Sequence, residues 1–438
     1  MEEKLSKQEF LSISLLLFAL LFGSGNLIFP PMLGNQAGTS TLIALLGFAT
    51  TAVVFPVLGF LAIAKTNGIQ NLGERISPLF GVIYPAIIFL AIGPGIAIPR
   101  NGSLAFEMSI APYLSSHSSI LIARLIYTIL FFGFAYYLCL QPGKLVDRIG
   151  KILTPILLGL IIIFFIGAVL TIPVKVASPT ASYSSAFTTG FLEGYNTMDT
   201  LAALNFGLVI AMTIKSYKVE DEKSIIKYTS GAGLIAGIIL LTVYSMLAYV
   251  GMISSKGNQE VLNGGRILLN ITDSVFGSFG AIILVLIFTL ACLTTAVGLI
   301  TSVSEYFANL TKNKVTYKQW IFIYTLISLI LANFGLDTIL QFSLPVLTAI
   351  YPPAILLIIM ALLQDICHFN PLTYQMTIYL TLFISILSGL GTIGIKLPVI
   401  GELISKLPFF NEGLEWILPS ALVLVLFTII SKIPLNKH

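Results

Sequence analysis

The chain is a succession of apolar runs, each close to the ~20 residues a helix needs to cross the hydrocarbon core of a bilayer. Twelve can be read along its 438 residues. They lie at roughly 9–33, 40–64, 78–111, 119–140, 150–172, 187–214, 226–252, 276–310, 319–335, 338–363, 374–393 and 414–431. The polar connections are short, so no soluble domain is inserted. The longest, 254–274, holds Asn263-Gly264-Gly265 followed by Ile267-Leu268-Leu269 and suggests a short surface helix. Backbone in hydrocarbon must satisfy its own hydrogen bonds, and runs of this length do so as helices. Composition agrees. Only 10% of residues are charged, against about 25% in soluble domains. The expected fold class is an all-α polytopic membrane protein with twelve transmembrane helices in one domain. A soluble enzyme, a nucleic-acid binder and a disordered chain are excluded.

The basic residues set an expected orientation. With the N-terminus cytoplasmic, 16 of the 23 Lys and Arg fall in inner segments, 5 in outer segments, and Arg100 and Arg124 within spans. Both termini are then cytoplasmic. The first run ends in Gly-Asn-Pro chemistry rather than a small-residue cleavage site, so it is expected to remain as span 1. Cys139, Cys292 and Cys367 have neither disulfide nor zinc spacing, and His117, His368 and His438 have no metal-ligand spacing. No phosphate-binding loop appears, which disfavours primary pumping.

Span 1 contains Phe22-Gly23-Ser24-Gly25-Asn26 and then Pro30-Pro31. Glycines free the backbone, Asn26 competes for its hydrogen bonds, and the prolines remove two donors. Span 6 contains Gly190, Glu193-Gly194-Tyr195-Asn196-Thr197-Met198-Asp199 and then an apolar run. Asn196 or Thr197 is expected to cap the second half-helix, with Asp199 near its positive end. Each segment reads either as a broken helix lining a site or as something blander: a close helix contact for span 1, an outer loop for span 6. The breaks lie five spans apart. Interrupted segments in corresponding positions point to a transporter site between inverted repeats. The repeats would be about 9–172 and 187–363, with accessory helices over about 374–431.

The string from Phe22 to Gly34, together with Ile92-Gly93-Pro94, Ala97-Ile98-Pro99-Arg100, Phe106-Glu107 and Glu193 to Leu204, resembles the branched-chain amino-acid carrier family, the LIVCS or BrnQ carriers. That family resembles sodium-coupled symporters of the LeuT type, with a five-plus-five inverted repeat and broken helices 1 and 6. The resemblance implies import of leucine, isoleucine and valine across a bacterial plasma membrane by alternating access. It requires no organic cofactor and no evident obligatory protein partner; membrane lipid surrounds the chain. Sodium is the implied coupling ion. Its implied ligands are the carbonyls of Ala19, Phe22 and Ala291 and the hydroxyls of Thr294 and Thr295. Those hydroxyls could instead bond carbonyls of their own helix.

The helix ends suggest how an amino acid would bind. Its carboxylate should meet N–H groups at Gly23, Ser24 and Gly25, beside Asn26. Its ammonium should meet carbonyls at the span 6 break, between Gly190 and Gly194. Phe18, Phe191, Tyr195 and Ile96 are candidates for a dry pocket. An outer gating arginine after the helix 1 break is not inherited, since Phe29 stands there. Arg100 and Glu107, seven apart on one helical face, could form a gate or a static pair. Glu193 and Asp199 are proton-coupling acids or capping groups, so a proton-coupled carrier is the alternative. An ion channel lacks support, because no pore-lining repeat or acidic ring is visible.

Overall fold

The computed structural model describes residues 4–114, 116–255, 263–395 and 398–432. Among these residues the chain is helical, without strands. In order the α-helices are α1 (Lys7–Leu21), α2 (Ser24–Ala37), α3 (Thr41–Ala49), α4 (Phe55–Thr66), α5 (Ile69–Glu74), α6 (Pro78–Leu90), α7 (Ala97–Ser109), α8 (His117–Cys139), α9 (Thr154–Thr171) and α10 (Ala186–Tyr195). There follow α11 (Asp199–Ser216), α12 (Glu222–Ile253), α13 (Gly264–Phe276), α14 (Ser278–Leu310), α15 (Tyr317–Ala332), α16 (Leu336–Cys367), α17 (Pro371–Thr392), α18 (Pro398–Ser405) and α19 (Ile417–Lys432).

Local signals explain the ends. Ser6 and Glu9 form a capping box at the start of α1, and Thr316 and Gln319 form another at α15. The Asp221 carboxylate accepts the Ser224 N–H at the start of α12. Eight helical stretches among the described residues are long and apolar enough to cross a membrane, and α10 with α11, bent by 43° at their break, would make nine. The apolar helices α15 and α19 are shorter. Large apolar side chains stay exposed on the perimeter, among them Ile122, Leu130 and Leu170. On a membrane-spanning bundle that belt faces lipid rather than water.

Two helix pairs approach closely through reciprocal glycines. A Cβ on Gly34 of α2 would strike the Ala248 carbonyl of α12, and one on Gly251 of α12 would strike the Pro31 carbonyl of α2. Gly47 of α3 and Gly190 of α10 repeat the arrangement, against the carbonyls of Phe187 and Ala44. Small residues let backbones meet where lipid supplies no hydrophobic drive. These contacts fix α2 on α12 and α10 on α3, and so hold the two half-helices that carry the breaks.

Three features depart from the expectations above. The segment after Asn263 is helical, but Gly264, Ile267, Leu268 and Ile271 of α13 are buried, so it packs into the bundle against α2 and α14. Residues 256–262 of that connection lie outside the described residues. Span 3 is itself interrupted: between α6 and α7 a wide turn runs over Ala91–Gly95, with Gly93 at φ −86°, ψ −124°. Pro94 cannot donate a helical hydrogen bond there. Wide turns also occur at Thr50–Val54 and Val146–Leu153.

Candidate functional site

Span 1 breaks where its composition suggests. Phe22 ends α1 at φ −75°, ψ 88°, Gly23 is extended, and α2 begins at Ser24. The first N–H groups of a helix have no partner inside it, and here side-chain amides take two donors at the break. Gly23 N–H donates to Asn26 Oδ1 at 3.0 Å, and Ser24 N–H donates to Asn101 Oδ1 at 2.8 Å. Span 6 breaks at Asn196–Met198, with Met198 left-handed at φ 67°. Thr197 Oγ1 accepts the Asp199 N–H at 3.3 Å, but the cap position is Met198, whose side chain makes no capping bond, so neither Asn196 nor Thr197 is the N-cap.

The two breaks face each other and are joined by buried charge. The Arg100 side chain enters from α7 and is 2% exposed. Its Nε donates to Ser24 Oγ at 3.0 Å, and its Nη1 to the Asn196 carbonyl at 2.8 Å. Asp199, 1% exposed, opens α11. Its oxygens accept Asn26 Nδ2 at 3.0 and 2.8 Å, and Oδ2 accepts the Tyr244 hydroxyl of α12 at 2.5 Å. Asn26 Nδ2 also touches that hydroxyl. Arg100, Asp199, Ser24, Asn26, Asn101 and Ala202 line a central cavity of about 20 Å³, room for roughly one water. A buried charge with hydrogen-bonded partners is tolerable, whereas an unpaired one is not. The cavity thus carries one positive and one negative group, each tied to neutral partners.

A cluster of oxygens stands beside this cavity. Thr294 Oγ1 of α14 lies 3.1 Å from the carbonyls of both Ala19 and Ala291, and Thr295 Oγ1 donates to Ala19 at 3.1 Å. Thr294 Oγ1 is shared between its own helix, at Ala291, and Ala19 of α1, while Thr295 Oγ1 reaches across to Ala19. Phe22 is the last residue of the α1 helical ladder, and its carbonyl has no helical donor ahead of it. A Cβ on Gly23 would stand 2.9 Å from both Asn101 Oδ1 and Thr295 Oγ1, so the oxygen cluster and the span 1 break are adjoining.

Several expected site residues have other positions. Gly190 and Gly194 are not the span 6 break. They sit within α10 against α3, and the Gly194 carbonyl is taken by Thr197. Their glycine character reflects close packing, a signal that resembles a break in sequence. Phe18 and Phe22 stack on each other at 5.2 Å, both buried, and Phe18 does not line the central cavity. Phe191 packs on Tyr195, which stacks on Tyr351 at 4.3 Å. Tyr195 faces a separate, larger cavity. Gly25 is at the break: a Cβ there would meet Arg100 Nη2 at 2.7 Å. Ile96 also lies outside the central lining, whose apolar part comes from Leu20, Ile92, Met198 and Leu299 among others.

Arg100 and Glu107 do not pair. Glu107 accepts Arg124 of α8 at 3.2 Å and the Leu336 N–H at 3.3 Å. Arg100 is drawn instead to the two breaks, where carbonyl and hydroxyl acceptors are free. Glu193 is half-buried and accepts Asn196 Nδ2 at 3.3 Å. Asn101 and Tyr244 were not anticipated. Each bonds a group far away in sequence, Asn101 the Ser24 N–H and Tyr244 the Asp199 carboxylate.

The family profile described as branched-chain amino acid transport protein matches residues 6–434. The branched-chain amino acid permease BrnQ of Bacillus subtilis (strain 168) is 39% identical over 424 residues, covering 96% of each chain. The branched-chain amino acid permease BraB of the same organism is 40% identical over 422 residues, 96% of this chain and 94% of that one. These relatives are permeases, not enzymes. Among solved structures, a nucleobase-cation-symport-1 family transporter in a closed conformation with bromovinylhydantoin bound superposes with a TM-score of 0.59. It is 12% identical and covers 96% of this chain and 91% of that one. At that identity the likeness is one of fold, the LeuT type expected from the sequence.

Proposed function

The chain belongs to the branched-chain amino acid transport protein family, and from that premise we propose a sodium-coupled symporter that imports leucine, isoleucine and valine by alternating access. The observation that carries this reading is the opposed pair Arg100 and Asp199 across one buried cavity between two helix breaks. An amino acid carries the complementary charges. Its carboxylate is assigned to Arg100 and the first turn of α2, where charge and helix dipole both favour an anion. Its ammonium is assigned to Asp199 and the Asn196 carbonyl. A cavity of about 20 Å³ is too small for a branched side chain, so loading requires the breaks to part and Arg100 to leave Asn196. Discrimination among the three substrates is weak, because one methylene is worth about 1–3 kcal/mol.

Sodium is assigned to the oxygens of Ala19, Phe22, Ala291, Thr294 and Thr295. Neutral oxygens suit a monovalent hard cation, whereas a divalent one favours carboxylates. The twelve-span topology with both termini cytoplasmic rests on the basic-residue bias. The inverted repeat is supported by mirrored packing: α2, the second half of span 1, lies on α12, and α11, the second half of span 6, lies on α4. Proton coupling is the second reading, favoured by the buried carboxylate of Asp199 at the break.

The test is uptake of labelled leucine into proteoliposomes. An inward sodium gradient at equal pH should drive accumulation. Accumulation driven by a pH gradient without sodium would sink sodium coupling and leave the proton-coupled carrier.

A further inference from the structure

The half-helix α10 runs into Asn196, whose carbonyl holds Arg100 at 2.8 Å. Freeing Arg100 requires α10 to shift. A packed helix shifts only where space lies beside it, and a cavity of about 1040 Å³ borders α10 at Thr188 and Leu192. The connection from α18 to α19 bridges from α10 to the helices across that space, and it is both compact and docked. The N–H groups of Glu412 and Leu414 donate to the Phe409 carbonyl at 3.2 and 3.0 Å, and the Gly413 N–H donates to the Phe410 carbonyl at 3.0 Å. Gly413 turns the chain at φ 67°, and its Cβ position lies 3.3 Å from Leu192 of α10. The next two residues are buried. Trp416 meets the Tyr195 hydroxyl at the end of α10, and Glu415 accepts the Ser388 hydroxyl of α17. Tyr195 also stacks on Tyr351 of α16 at 4.3 Å. The far side is rigidly joined: Ser385 Oγ of α17 donates to the Ala349 carbonyl of α16 at 2.9 Å, and the hydroxyls of Thr381 and Ser420 tie α17 to α19 at 2.7 Å. Residues 413–416 thus fasten the end of α10 to a block of α16, α17 and α19.

We propose that the connection between α18 and α19 is a strap that holds the central site closed, an inference that rests on the transport reading above. Docked, it keeps α10 in place and so keeps the Asn196 carbonyl on Arg100. Released, it lets α10 swing into the neighbouring space and the two breaks part. The last two spans then act on the site without lining the central cavity. The docked strap stabilises an arrangement whose central cavity, about 20 Å³, is too small for a branched side chain. It therefore works against loading. Only molecules with α10 released bind substrate, and the apparent affinity is the intrinsic one reduced by that fraction.

Equilibrium binding of labelled L-leucine to the full-length protein in lipid nanodiscs tests this, together with amide hydrogen exchange on the same samples. Trp416→Phe keeps a ring and loses the N–H that meets Tyr195. Ser388→Ala removes the hydroxyl that anchors Glu415. Each should tighten apparent leucine affinity by about two- to tenfold, the shift expected when a closed state loses one hydrogen bond. Exchange in α10 should quicken by a similar factor while exchange in α14 stays as in wild type. A purely structural role would weaken binding or leave it unchanged. Tightening in neither variant, or tightening without faster exchange in α10, overturns the strap. Absence of any leucine binding by wild type would instead overturn the transport reading on which it rests.

Discussion

Arg100 and Asp199 line the same central cavity, yet no ion pair joins them among the described residues: Arg100 is tied to Ser24 and Asn196, and Asp199 to Asn26 and Tyr244. Opposite charges held apart at the two breaks leave a gap that a zwitterion can close at both ends. A direct ion pair would have closed it without substrate.

Arg100→Gln should reduce leucine affinity by at least about tenfold, since it removes a charge-assisted contact. It also leaves the Ser24 hydroxyl and the Asn196 carbonyl without their buried donor, and an unsatisfied buried polar group costs about 1–3 kcal/mol. Arg100→Lys keeps the charge but lacks the planar fork that reaches Ser24 and Asn196 together. It should bind leucine better than Arg100→Gln and worse than wild type. Binding of labelled leucine to the three purified proteins checks the order; equal affinities would remove Arg100 from the site.

The Asn26–Asp199–Tyr244 cluster should behave as one unit. Tyr244→Phe removes one donor to the carboxylate, and a hydrogen bond to a charged group is worth about 1.5–3 kcal/mol. The double variant Asn26→Ala/Tyr244→Phe should fall short of the sum of the single effects by about 0.5–3 kcal/mol, as contacting residues do. Thermal unfolding in detergent measures it, and strict additivity would contradict the shared cluster.

Thr294→Val and Thr295→Val each keep the side-chain shape and lose an oxygen. Each should raise the sodium concentration for half-maximal leucine uptake by about tenfold, equivalent to 1.4 kcal/mol. Leucine affinity at saturating sodium should change less. An unchanged sodium dependence in both variants would take the ion away from these hydroxyls.

Gly34→Ala places a methyl group against the Ala248 carbonyl, backbone that cannot yield, while Gly133 on α8 has open space around its Cβ position. Gly34→Ala should lower stability by about 1–3 kcal/mol or more, as overpacking does. Gly133→Ala should leave stability unchanged or raise it by up to about 1 kcal/mol. Comparing the two by thermal unfolding separates close packing from glycine content as such.

The all-helical, membrane-crossing character was legible because an apolar run of bilayer length has few folds open to it. The break at Gly23 was legible because Gly, Ser and Asn gather there inside an apolar helix. The break in span 6 was placed in the right stretch but too early. Gly190 and Gly194 signal small size, and size alone does not distinguish a backbone that leaves the helix from one that meets a neighbour. The interruption at Gly93 was written in Gly93-Pro94 but passed over, since Gly and Pro are common in membrane helices. Asn101 and Tyr244 were illegible for a different reason. Each acquires its meaning from partners or a cavity assembled by other helices, and no local pattern encodes that.

Pro30 and Pro31 sit inside α2, in its second turn. Because proline has no N–H, the carbonyls of Asn26 and Leu27 lose the donors that would otherwise cap them four residues on. The same short stretch therefore sets the first-turn N–H groups of α2, of which Ser24's is held by Asn101, beside carbonyls that the prolines leave without a helical donor. One turn of main chain thus presents both polarities beside the Arg100 and Asp199 side chains.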